Sequence, residues 1–108
     1  MLSFFGFGKS KKQAKKKFSE PLNTAVFTTK FIINENKVIT YVSHEEEDGS
    51  WQFFSDDEFE SFGAVAALVL LKQIINRDET ILELADLPLG YIATRKSLKD
   101  KWKIEKAE

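Results

Sequence analysis

Short runs of β-branched and aromatic residues, separated by polar turn signals, recur along the chain from Ala25 to Lys106. Runs of this kind are typical of β-strands that bury one face. The chain has 108 residues, which is enough for one ordinary domain and too few for two. We therefore predict one α+β domain over residues 22–108, with a mainly antiparallel sheet of about five to six strands and one or two short helices.

The first half of this domain predicts three strands. Val26–Ile33 and Val38–Ser43 carry strand-forming residues and are joined by the polar residues 34–37, so we expect them to pair as a β-hairpin. A third strand is expected near Ser50–Phe54, directly after the turn signal Asp48-Gly49.

The middle of the chain predicts short helices and one buried segment. Ser55 is placed to cap a short helical turn that ends at Gly63. The apolar run Ala64–Leu71 suits a buried strand or a buried helix, and we favour a strand over Val65–Leu70 because the following segment already has the helical period. In that following segment, Asp78 interrupts the apolar stripe and is placed to cap a second helical turn.

The last part of the chain predicts two more strands. Pro88 lacks an amide donor and restricts the residue before it, so it should stop the helical segment. Gly90–Arg95 then has the composition of a strand, and Trp102–Lys106 alternates as an edge strand would.

Charge is strongly segregated, although the net charge is only −1. Residues 1–20 carry six Lys and one Glu, whereas residues 38–71 carry eight acidic side chains and no Lys or Arg. Such segregation concerns the partners of a protein and its solubility, not its fold.

Carboxylates lie on both sides of the third predicted strand. The candidate partner-binding residues are Glu45, Glu46, Glu47, Asp48, Trp51, Asp56, Asp57 and Glu58. Acidic runs are usually just solvated and most Trp residues on strands belong to a core, but Trp is also enriched among residues that anchor interfaces. The combination predicts a surface, centred on Trp51, that binds a protein with a basic surface.

Aromatic and basic residues share the N-terminal segment, residues 1–21. The candidate residues for contact with a membrane or another anionic surface are Phe4, Phe5, Phe7, Lys9, Lys11, Lys12, Lys15, Lys16 and Lys17. Like charges repel and little apolar surface is available, so we predict a basic disordered tail. A solubilising tail and the weak membrane attachment of a peripheral or scaffold protein both remain open, while the acidic body argues against specific nucleic acid binding.

Signatures of catalysis are missing from the sequence. The chain has no Cys, which excludes thiolate chemistry and favours the cytoplasm, and its one His, His44, stands beside carboxylates on a predicted loop. The acidic run lacks the spacing of a calcium-binding loop, and Gly6 and Gly8 lack the strand and helix of a phosphate-binding loop. We therefore predict no catalytic residue, no metal and no cofactor; an enzyme that uses carboxylates in an undetected cleft is the remaining alternative.

Four segments carry a resemblance to a known family. Tyr41–His44, Asp48–Phe54, Ile81–Tyr91 and Ala93–Arg95 together resemble a small bacterial domain family grouped with the immunity proteins of polymorphic toxin systems as immunity protein 33. The resemblance spans about Ala25 to Lys106 and leaves the basic tail uncovered. It implies a bacterial, intracellular, non-enzymatic protein that binds and neutralises a toxin.

Overall fold

Six strands form one mixed sheet in the part of the chain that the structure, a computed structural model, describes, residues 16–108. They are β1 (Ala25–Thr29), β2 (Tyr41–His44), β3 (Trp51–Phe54), β4 (Ala66–Leu70), β5 (Tyr91–Thr94) and β6 (Lys103–Lys106). Their order is β4-β1-β3-β2-β5-β6, and every neighbouring pair is antiparallel except β1 and β3. The helical segments are α1 (Lys30–Glu35), α2 (Phe62–Val65), α3 (Leu71–Arg77) and a 3₁₀ helix (Glu79–Leu84). The predicted α+β class is confirmed, with more helical segments than the one or two expected.

The predicted hairpin of residues 26–33 and 38–43 is wrong. β1 ends at Thr29, and α1 follows at once and ends at Glu35, where Asn36 caps it in the left-handed conformation with φ 56°. The helix buries Ile32 completely, so tertiary packing outweighs the strand propensity of this segment. β3 lies between β1 and β2 in the sheet, and the two predicted partners therefore never pair.

The predicted cap at Ser55 and the predicted helix end at Gly63 are also wrong. The Ser55 hydroxyl donates to Asp57 Oδ2 at 2.6 Å and accepts from the Asp57 amide at 3.4 Å, and no helix begins there. α2 begins only at Phe62 and runs through Gly63. The Ser55 side chain therefore stabilises a turn and not the start of a helix, because Phe62, which follows it, packs on Phe54 of the sheet.

Several later predictions are confirmed. β4 lies within the predicted strand, and the helical stretch after it is divided at Asp78, whose carboxylate accepts a hydrogen bond from the Thr80 amide at 3.0 Å. β5 lies within the predicted strand Gly90–Arg95, and β6 is an edge strand of the sheet that residues 16–108 form, pairing there with β5 alone.

One face of the sheet carries the hydrophobic core. α1, α3 and the 3₁₀ helix contribute side chains that cluster with inward-facing residues of β1, β2, β3 and β5. Buried members of this core are Val26, Ile32, Val42, Trp51, Phe53, Leu71, Ile74, Ile81, Leu84 and Ala93. We call this the helix-covered face; since side chains alternate along a strand, the intervening residues point to the opposite face.

A buried ion pair fastens β5 to the helical segments. Arg95 Nη2 lies 2.7 Å from Asp78 Oδ2, and its Nη1 and Nε donate to Thr80 Oγ1 and to the Ile39 carbonyl. The guanidinium also lies 4.0 Å from the centre of the Trp102 ring. Asp78 therefore caps the 3₁₀ helix and also neutralises the Arg95 side chain, which is 1 % exposed.

Candidate functional site

The predicted acidic residues divide between the two ends of the β2–β3 pair. Glu45, Glu46, Glu47 and Asp48 form the acidic loop that joins β2 to β3, whereas Asp56, Asp57 and Glu58 form the acidic segment that follows β3. A strand of this length spans only about 10 Å, so the two groups stand at opposite ends of a short hairpin.

Local hydrogen bonds shape the acidic loop. Asp48 Oδ1 accepts from the Ser50 amide at 2.9 Å, which lowers the pKa of Asp48, and Gly49 takes the turn with φ 73°. Glu45 accepts a hydrogen bond from the Ser43 hydroxyl. Partial burial, and then the charge of Glu45, raise the pKa of Tyr41 above its usual value. Glu45 therefore lies on the same side of the hairpin as Tyr41.

The acidic segment contains one constrained and two freely exposed carboxylates. Asp57 lies 3.3 Å from Lys37 Nζ and accepts from Ser55, and these contacts lower the pKa of Asp57, the Ser55 bond most. Asp56 and Glu58 are exposed. This end of the hairpin therefore keeps a net negative charge although Lys37 is present.

Trp51 lies inside the protein, where it cannot form the centre of a surface. It is 1 % exposed, stacks on His44 with ring centres 4.0 Å apart and meets the Phe18 ring edge-on at 5.0 Å. Its Nε1 donates to Glu20 Oε2 at 2.8 Å, and His44 Nε2 lies 3.7 Å from the same oxygen. Trp51 thus holds Phe18 and Glu20, just before Pro21, on the helix-covered face.

The opposite face of the sheet carries a group of aromatic rings that the sequence analysis did not assign to a site. Phe54 stacks on Tyr41 at 5.8 Å and meets Phe62 at 5.3 Å, and Phe62 in turn contacts Phe27 and Phe59 at 6.2 Å each. We call these five rings the aromatic patch. The alternation of β3 already placed Phe54 opposite Trp51, but nothing in the sequence showed which of the two faces the helices would cover.

Most of the predicted basic tail lies outside the described residues, including Phe4, Phe5, Phe7, Lys9, Lys11, Lys12 and Lys15. Lys16 Nζ lies 3.1 Å from Asp86 and 3.3 Å from the Glu83 carbonyl, and Lys17 is exposed. Phe18 and Glu20, assigned to the tail by sequence, pack on Trp51. Ordered contacts therefore begin before the predicted domain boundary.

The histidine side chain and the cavity, two features that could belong to a reactive site, both make contacts within the fold. His44 Nδ1 lies 2.7 Å from the Leu87 carbonyl. A cavity of about 300 Å³ is lined by Asn36, Lys37, Arg77, Asp78 and Leu98, among others, and its Asp78 is engaged by Arg95. Within residues 16–108, no three His, Asp or Glu side chains are grouped as a metal site, and no helix there is long and apolar enough to cross a membrane.

A model of the Immunity protein Imm33 domain matches residues 23–105, which is 83 of the 108 residues. The matched region contains all six strands except the last residue of β6, both acidic groups and the aromatic patch. No curated protein and no solved structure matches the chain.

Proposed function

Because the chain belongs to the Imm33 immunity protein family, we propose that it binds a bacterial toxin and neutralises it through its acidic surface, without any reaction of its own. The toxin side of this contact is basic. A toxin that attacks nucleic acid has such a surface, since it must itself attract phosphates. The proposal places the protein in the cytoplasm, where such a toxin would act.

The observation that carries the proposal is the placement of exposed carboxylates at both ends of one short hairpin. Glu46, Glu47 and Asp48 are exposed at one end, and Asp56 and Glu58 at the other. In the part of the chain that the structure describes, α1, α3 and the 3₁₀ helix pack on the other face, and only the four-residue α2 and the segment before it pack on the side of Phe54. A partner that contacts this face of the hairpin would therefore meet both acidic groups.

The dimensions of the hairpin fit a single interface. A standard interface buries about 800 Å² on each partner, which corresponds to a patch roughly 30 Å across. The strands between the two acidic groups span only about 10 Å, so one partner can touch both ends. This geometry supports a broad contact across the hairpin in place of the contact centred on Trp51 that the sequence predicted.

Charge reversal at one residue of each group tests the proposal. The partner is first identified by reading the genes adjacent to the one for this chain for a toxin domain, which is then produced in a catalytically inactive form. Glu47→Lys combined with Glu58→Lys should slow association by tenfold or more at low salt and weaken the salt dependence of the rate, because long-range attraction mainly accelerates encounter.

Glu35→Lys combined with Glu83→Lys is the matched control, since both residues are exposed on helical segments that pack on the helix-covered face and the net charge changes equally. The proposal requires that this control associates like the unmodified protein. Equal slowing in both variants would show that only net charge matters, and unchanged kinetics in the first variant would contradict an acidic binding surface.

A further inference from the structure

The aromatic patch, formed by Phe27, Tyr41, Phe54, Phe59 and Phe62, lies on the sheet face opposite the helix-covered face, at the end of the hairpin where β3 leads into the acidic segment. We infer that this patch is the centre of the toxin contact and that it fits an arginine-bearing surface of the toxin. The inference rests on the proposed function and names the part of the surface that holds the partner once it has arrived.

Exposure supports a role for this patch beyond packing. Within residues 16–108, α2 and the segment before it place Phe62 and Phe59 against Phe54 on this face, and Phe59 remains 39 % exposed. Leu68 of β4 pairs with Phe27 in the sheet, so it points to the same face, and it is 63 % exposed. Exposed apolar groups that form a contiguous patch with a polar rim mark interaction sites more often than scattered ones do.

The charges around the patch select a cationic partner. Tyr41 and Phe54 pair at the end of the hairpin where β3 leads into Asp56, Asp57 and Glu58, so this acidic segment is next to the patch. From the other end of the hairpin, Glu45 adds negative charge; after partial burial, that charge also raises the pKa of Tyr41. Lys37 is already paired with Asp57, and residues 38–71 contain no Lys or Arg. On the edge strand β6, Lys103 pairs with Thr94 and so points to this face, but Glu105 on the same side of β6 balances its charge. A positive side chain that approached these rings would therefore meet net negative charge.

Arginine fits this combination of rings and carboxylates better than lysine. Its planar guanidinium can stack on a ring while its N–H groups donate to a carboxylate, and it carries its hydration less tightly than an ammonium group does. The protein contains the same arrangement in its interior, where Arg95 lies 4.0 Å from the Trp102 ring centre and 2.7 Å from Asp78. The aromatic patch offers a partner's arginine the corresponding groups at the surface.

Removal of exposed apolar groups from the patch and from its neighbour Leu68 tests the inference with the same inactive toxin domain that tests the proposed function. Phe59→Ser combined with Leu68→Ser should raise Kd at least tenfold through faster dissociation, while the salt dependence of association stays unchanged. Ile104→Ser is the control, because Ile104 is 52 % exposed on β6 and pairs with Ala93, so it points to the helix-covered side. The control should bind like the unmodified protein, and circular dichroism should show that both variants are folded.

The outcomes separate this inference from the proposed function. Unchanged dissociation in the patch variant, together with slowed association in the Glu47 and Glu58 variant, would overturn the inference and leave the acidic surface in place. An unmodified protein that does not bind the toxin domain would overturn both. Equal weakening by Ile104→Ser would also count against the patch, because it would show a general response to lost apolar surface.

Discussion

Asp78→Ala should be among the most damaging single substitutions in this protein. It leaves the Arg95 guanidinium, whose side chain is 1 % exposed, without its counterion, and it removes the acceptor for the Thr80 amide. Loss of one partner from a buried pair costs about 3–5 kcal/mol, and loss of a helix cap costs about 1 kcal/mol, part of which is already contained in the first figure.

A loss of about 3–5 kcal/mol is a large share of the roughly 5–15 kcal/mol that stabilises a typical domain. In a domain of this size each kcal/mol lowers Tm by about 4–8 °C, so Asp78→Ala should lower Tm by more than about 12 °C. Urea unfolding followed by Trp fluorescence measures the effect, because Trp51 is buried and Trp102 contacts Arg95 itself.

Two further variants test whether the unpaired charge of Arg95 causes the loss of stability. Asp100→Ala removes an exposed Asp that accepts one hydrogen bond from Ser97, and it should cost little. Asp78→Ala combined with Arg95→Met should be less damaging than Asp78→Ala alone, since no buried charge is left unpaired. A loss of less than about 1 kcal/mol for Asp78→Ala would refute the reasoning, because it would mean that the guanidinium finds solvent or another partner.

Three further predictions concern other parts of the fold. Glu20→Ala should cost about 1–3 kcal/mol, because the buried Trp51 Nε1 loses its acceptor; an unchanged urea midpoint would contradict this. Gly90→Ala should lower the free energy of unfolding by about 1–2 kcal/mol, because Gly90 has φ +82°, a conformation that costs free energy for other residues. Thermal unfolding measures this, and an unchanged Tm would contradict it. In NMR titrations of the ring, Tyr41 should deprotonate above pH 10.0, and Glu45→Gln should lower that pKa. Since folding raises this pKa, its contribution to stability is complete below pH 10.0 and decreases as the pH rises through the folded-state pKa.

The sequence predicted much of the fold through signals that do not depend on long-range contacts. β3, β4, β5 and β6 lie within or beside the predicted strands, and Asp78 divides the helical stretch as its capping chemistry indicated. The errors at the first hairpin and at Ser55 arose where apolar or capping residues suit two structures equally well. In both places the packing of distant segments made the choice, because Ile32 is buried in the core and Phe62 packs on the sheet.

The composition of the candidate site was visible in the sequence, but its geometry was not. The eight acidic residues of residues 38–71 and their separation from the basic N-terminal segment follow from the sequence alone. The burial of Trp51 depends on which face of β3 the helices cover, and alternation along a strand specifies two faces without saying which is inside. For the same reason Phe54, only three residues away, became part of the exposed side.

Sequence by itself therefore determined the α+β class, the charge segregation and the family to which the domain belongs, since these depend on local composition and order. Tertiary structure decided that β3 inserts between β1 and β2, that the carboxylates stand at two ends of one hairpin, and that rings other than Trp51 lie on the exposed face beside the acidic segment. The physical reason is that strand order and the covered face are set by the burial of apolar surface contributed by segments far apart in the chain, which no local pattern records.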